Sequence, residues 1–146
     1  YDPEHFRLAN FSSGLSVETT ARNLAGKFTL TFDCKPQRFI RSGDYPITTK
    51  NGGTIFNYYG QVALPIIKIY GRDAGTITIG ESSVEVKSLD GFLVLDSDTQ
   101  NAYNNSGNQN NNIYAPTFPV LICEDNKISW DGGIERVEII PRWWEL

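Results

Sequence analysis

Lys27-Phe28-Thr29-Leu30-Thr31-Phe32-Asp33-Cys34 alternates apolar and polar residues without a break. Successive side chains of a strand point to opposite faces, so a period of two predicts a strand with one buried face. Cys34 shares that face with Phe28, Leu30 and Phe32 and reads as a small buried hydrophobe. Pro36 stops the strand, because proline has no N–H to give to a ladder. A boundary between two structural units falls there. Upstream, Phe6, Leu8, Phe11, Leu15 and Val17 supply a strand before a turn around residues 23–26.

Downstream, short strand candidates recur with turn residues between them, over residues 45–49, 54–58, 64–70, 76–79, 83–87, 91–96, 118–123, 127–130 and 134–144. The punctuation is Lys50-Asn51-Gly52-Gly53, Gly80-Glu81-Ser82, Glu124-Asp125-Asn126 and Asp131-Gly132-Gly133. Phe92-Leu93-Val94-Leu95 is apolar throughout, which implies burial on both faces or a local twist. No stretch sustains the 3.6-residue period of a long amphipathic helix. Strands at this spacing predict an all-β, antiparallel β-sandwich of the jelly-roll type. Residues 101–112 hold seven asparagines in twelve positions and read as an exposed loop, either a plain connector or a binding loop.

At 146 residues, with 40% apolar and 21% charged, the chain suits one domain plus a short appendage and needs no staples to form a core. A net charge of −4 with no basic run argues against a nucleic-acid or anionic-lipid surface. The apolar run at residues 62–67 is interrupted by Pro65 and followed by Lys68, far short of a membrane span. The chain starts at Tyr1, contains no methionine and shows no signal peptide at its start, so it is expected to be part of a longer protein.

The chemistry-bearing residues are few. His5 is the sole histidine and has no Ser or Cys nucleophile signature beside it, so it reads as a surface histidine. Cys34 and Cys123 form neither a metal pattern nor a CxxC pair, and a bridge between them stays open. Asp96-Ser97-Asp98-Thr99 begins like a calcium loop but lacks the later Gly and Glu, so turn capping is expected. No catalytic site, metal or cofactor is implied, and the chain is expected not to be an enzyme. Two aromatic pairs, Tyr58-Tyr59 and Trp143-Trp144, are the candidate binding residues. Neighbours on a strand face opposite ways, leaving one ring of each pair to stack on a sugar or anchor a protein. The alternative is that Trp143 or Trp144 ties down the last strand.

Several stretches together resemble the distal tail proteins of siphophages that infect Gram-positive bacteria. Asp33-Cys34-Lys35-Pro36-Gln37-Arg38-Phe39 is similar to that family's domain junction. Leu64-Pro65-Ile66-Ile67-Lys68-Ile69-Tyr70-Gly71 and Leu89-Asp90-Gly91-Phe92-Leu93-Val94-Leu95-Asp96-Ser97, continuing to Ala102-Tyr103-Asn104, resemble the strands that follow it. Asn126-Lys127-Ile128-Ser129-Trp130 and Val137-Glu138-Ile139-Ile140-Pro141-Arg142-Trp143-Trp144 are similar to the family's ending. The resemblance implies residues 1–37 as the end of an N-terminal ring domain and 38–146 as a projecting galectin-like sandwich. It also implies a virion component of the phage or prophage tail tip, assembled in the host cytoplasm and docked to tail-tube, tip and receptor-binding proteins. The longer protein would be a homohexamer and this piece alone a monomer. A galectin's His-x-Asn-Pro-Arg strand is lacking, and Trp130-Asp131-Gly132-Gly133-Ile134-Glu135 only loosely matches its Trp-Gly-x-Glu pair. The second functional expectation is a carbohydrate-binding module for host cell-wall saccharide, using Tyr58, Tyr59, Trp143 and Trp144.

Overall fold

The computed structural model describes the backbone of residues 2–12, 16–21 and 25–146, and the side chains of 2–12 and 28–146. Leu15 and Asn23, read as parts of a strand and a turn, lie outside the described residues.

Six short strands make one long antiparallel hairpin, the arm. They are β1 (His5–Phe6), β2 (Ala9–Phe11), β3 (Ser16–Ala21), β4 (Ala25–Thr29), β5 (Phe32–Cys34) and β6 (Arg38–Ile40). β1 pairs with β6, β2 with β5 and β3 with β4, so the register runs from His5 opposite Ile40 to Ala21 opposite Ala25. The uninterrupted strand expected over residues 27–34 is broken at Leu30 and Thr31. Its apolar face exists but is not buried: Phe28 is 66% exposed, Phe32 53%, Leu30 44%, and Cys34 is also exposed. The alternation therefore marks a face with no second layer over it among the described residues. The expected burial of Cys34 is corrected on the same ground.

The remaining strands build the sandwich. One five-stranded sheet has the order β15 (Ile113–Tyr114), β11 (Ser82–Val86), β10 (Gly75–Ile79), β16 (Asp125–Trp130) and β8 (Thr54–Phe56). Opposite it lies a six-stranded sheet, β14 (Gly107–Asn108), β13 (Asn101–Asn104), β12 (Gly91–Asp96), β9 (Ile66–Gly71), β17 (Ile134–Ile140) and β7 (Ile47–Thr48). All pairings are antiparallel. Ile77, Ile79, Val84, Val86 and Ile128 from the first sheet share one apolar core with Ile67, Ile69, Leu93, Leu95, Val137 and Ile139 from the second. The all-β, antiparallel sandwich expected from the sequence is the fold. β12, central in its sheet, is buried on both sides from Leu93 to Asp96, as its unbroken apolar run implies.

Two expected strands differ. Residues 118–123 form no strand, because Pro116 and Pro119 remove ladder donors. That segment is held instead by a bridge in which Ala63 and Leu121 exchange both backbone bonds, at 3.0 and 2.9 Å. The strand expected over 134–144 ends at Ile140, where Pro141 stops it and Arg142 turns the chain with a φ of 56°. The Arg142 N–H then donates to the Gly43 carbonyl at 2.9 Å. A β-carbon on Gly43 would strike the backbone nitrogen of Trp143, so only glycine allows this approach. The turn delivers β18 (Trp144–Glu145) to β6, giving a three-stranded sheet β1–β6–β18 that joins the arm to the sandwich. Arg7 reinforces the joint by donating to the Pro36 carbonyl at 3.0 Å.

Candidate functional site

One ring of each pair is more buried than the other, but neither pair lies within a single strand, so strand alternation is not the cause, and the four rings are not gathered. Trp143 is buried in the core, with the Tyr59 ring 6.0 Å away, so neither presents an open stacking face. Tyr58 is 80% exposed and lies against Phe56 at 4.3 Å. Both tyrosines follow β8 rather than lying in it. Trp144 is half-buried, and its indole N–H donates to the Val62 carbonyl at 3.0 Å. It lines a cleft of about 310 Å3 at the arm's root, with Leu8, Phe39, Val62 and Leu64 as apolar walls and Lys35, Gln37, Asp98 and Arg142 as polar ones. Trp143 thus does the anchoring that was the alternative for this pair.

Residues 101–112 are not a plain loop. They form β13 and β14, a tight hairpin, followed by a short 3-10 turn over Asn110–Asn112. Asparagine side chains hold it: Asn110 Oδ1 accepts from the Ala102 N–H, and the Asn112 side-chain amide donates to the Ser88 carbonyl at 2.6 Å. Asparagine copies a peptide group here, which is why the composition that predicted a loop gives an ordered edge.

Asp96 caps the following turn by accepting from the Asp98 N–H at 3.1 Å. Its larger role is with Arg142, whose two terminal nitrogens meet the two carboxylate oxygens at 2.8 and 3.3 Å. Burial by itself raises the Asp96 pKa, but the Arg142 hydrogen bonds and charge outweigh it and leave the carboxyl below its ordinary value. The stability from this pair is present above the ordinary carboxylate pKa of about 4 and is lost as pH falls through the depressed folded value. Asp96→Asn should cost about 1–2 kcal/mol at neutral pH and flatten the acid side of the stability profile. Urea unfolding at neutral and acid pH checks this, and an unchanged acid limb counts against it.

At the arm's root, His5 Nδ1 lies 2.8 Å from Asp2 and Nε2 lies 3.5 Å from Glu145, with Arg38 bridging both carboxylates. Among the described residues no group of three His, Cys, Asp or Glu side chains is placed to hold a metal, and Cys34 and Cys123 are both free thiols.

Sequence reading missed the outer face of the six-stranded sheet. Residue pairs across β17, β9, β12 and β13 align Arg136, Tyr70 and Phe92 in one row and Glu138, Lys68, Val94 and Tyr103 in the next. The Arg136 guanidinium carbon lies 4.0 Å from the Tyr70 ring centroid, and the Lys68 ammonium 4.6 Å from that of Phe92. The Tyr70 hydroxyl donates to Glu138 at 2.8 Å, and Glu138 lies 3.5 Å from Arg136. The Lys68/Tyr70 alternation opposite Ile67 and Ile69 signalled an outer face. Which strands lay beside it was not legible locally.

Compared with known proteins, the chain matches no family model, no curated protein and no solved structure.

Proposed function

We propose that the chain is a structural module of a siphophage tail tip, a distal tail protein that joins the tail tube to the host-adhesion device. On this reading the sandwich is a passive mount and the arm is its assembly element. The observation that carries the proposal is the arm's uncovered apolar face. Phe11, Phe28, Leu30 and Phe32 are all exposed, on a ribbon of only two strands. Such a ribbon is marginal in water and gains stability when another layer or strand covers it. Several large apolar side chains left exposed on one ribbon suit a protein–protein contact. The stretches that resemble distal tail proteins run from this arm to the last strand, which adds the identity of the partners. Those are further copies of the chain in a hexameric ring, and the tail-tube, tip and receptor-binding proteins around it.

Cys34 gives a direct test, because it sits at the arm's exposed edge, opposite Ala9. In a Cys123→Ser background, a bulky maleimide on Cys34 should block incorporation into tails assembled in vitro while the sandwich stays folded. Labelled protein that assembles as well as unlabelled protein would remove the arm from the interface.

A further inference from the structure

We infer that the end of the six-stranded sheet beside the Ile134/Arg136 bulge is a binding site for a neutral saccharide. The site is an open cleft of about 590 Å3, lined by Tyr70, Arg72, Asp90, Gly91, Glu135 and Arg136. Its shape follows from the local backbone. The β9–β17 register shifts between Ile134 and Arg136, which places Glu135 as the extra residue and re-aims it. Gly71 and Gly91 face each other across β9 and β12, and Gly71 shares the core-facing parity of Ile67 and Ile69. At Gly71 a β-carbon would strike the Gly133 carbonyl oxygen, and at Gly91 the φ of 90° suits glycine alone. The bulge is thus the local feature that shapes the rim of the cleft.

Its chemistry selects the ligand. Arg72 and Arg136 bring two positive charges, and Asp90 and Glu135 two negative ones, so the cleft has no excess field for an anionic or cationic partner. Alternating donors and acceptors match the hydroxyls of a sugar ring, each of which donates once and accepts twice. Arg136 is pre-positioned by Tyr70 beneath it and Glu138 beside it, and the Tyr70 hydroxyl in turn holds Glu138. Holding a long surface side chain in one geometry lowers the entropy cost of binding rather than adding much to folding. The Arg72–Glu135 pair is 3.6 Å apart and well exposed, loose enough to open toward a ligand. This site is separate from the arm, so it stands or falls independently of the assembly role.

The test is an amide NMR titration of the folded chain with methyl glycosides of glucose, galactose, N-acetylglucosamine and rhamnose, and separately with inorganic phosphate. At least one glycoside should shift Tyr70, Gly71, Arg72, Gly91 and Arg136 with a millimolar dissociation constant. Arg136→Ala and, in case that variant perturbs the sheet, Glu135→Gln should each weaken it about tenfold. Shifts from phosphate but from no glycoside, glycoside shifts confined to other surfaces, no shifts at all, or undiminished binding by Glu135→Gln would each overturn the inference.

Discussion

Replacing Phe11, Phe28 and Phe32 together by serine is expected to abolish assembly of the protein while leaving the unfolding of its sandwich unchanged. The three rings are 53%, 66% and 53% exposed, and none belongs to the core shared by the two sheets. Phe11 and Phe32 touch edge-on across β2 and β5 at 5.8 Å, a contact confined to the arm. Fully burying a Phe side chain contributes roughly 1.5–3 kcal/mol, so covering the exposed part of each contributes about 1–2 kcal/mol. Three rings per copy then amount to about 3–6 kcal/mol, a loss of roughly 10²–10⁴-fold in association. Incorporation into tails assembled in vitro reads the assembly, and thermal unfolding reads the sandwich. Retained assembly would mean that the arm's apolar face stays in water, and the proposed role would lose its support.

Asn126→Ala is expected to be the most damaging single change that removes no apolar contact. Asn126 is 1% exposed and acts as a four-way backbone clamp. Its side-chain oxygen accepts from the Ile122 N–H at 2.8 Å. Its amide donates to the carbonyls of Ile55, Ile122 and Glu124 at 3.2, 3.0 and 2.9 Å. These bonds fasten the strandless segment before β16 to β8. Alanine would leave the Ile122 N–H without its acceptor and take a donor from three carbonyls, at a cost of about 2–4 kcal/mol. In a domain of this size that lowers the midpoint of unfolding by on the order of 10 °C. Asn126→Asp, which keeps the acceptor and loses the donors, should fall at least as far. A shift of only a degree or two in Asn126→Ala would contradict the clamp.

These two residue sets also show where the sequence was informative. Period-two alternation is a local property, so the strands at Ile66–Gly71, Gly75–Ile79 and Asp125–Trp130 were legible to within a residue or two, and the unbroken apolar run marked Gly91–Asp96. The alternation over residues 27–34 correctly defined an apolar face, but a pattern says which side seeks cover, not whether cover is present. The arm is where that distinction matters. Asn126 read as a turn residue because its partner Ile55 is far away in sequence, and no local rule shows a side chain standing in for a strand neighbour. Asn51 does the same for Trp130, giving and receiving bonds of 2.7 and 3.0 Å across the sandwich edge.

The outer-face row was hidden for a related reason. Tyr70, Phe92 and Arg136 come from three strands, and only the pairing register sets them side by side. The break at Pro141 was readable from proline chemistry and was nonetheless passed over, because Ile139-Ile140 and Trp143-Trp144 look like one apolar run. Arg142 in a left-handed conformation, held by Gly43 and Asp96, carries the chain from the six-stranded sheet to the arm's root. Among the aromatic candidates, burial decided the roles. Trp143 closes the core, Tyr59 backs it, and Tyr58 and Trp144 retain accessible surface.

Electron microscopy of the protein expressed from its native reading frame addresses the central claim most directly. If the arm builds an assembly and the sandwich is its mount, averaged images will show a sixfold ring with six lobes around its rim. Single lobes at every concentration, with the arm's phenylalanines accessible to solvent, would contradict it.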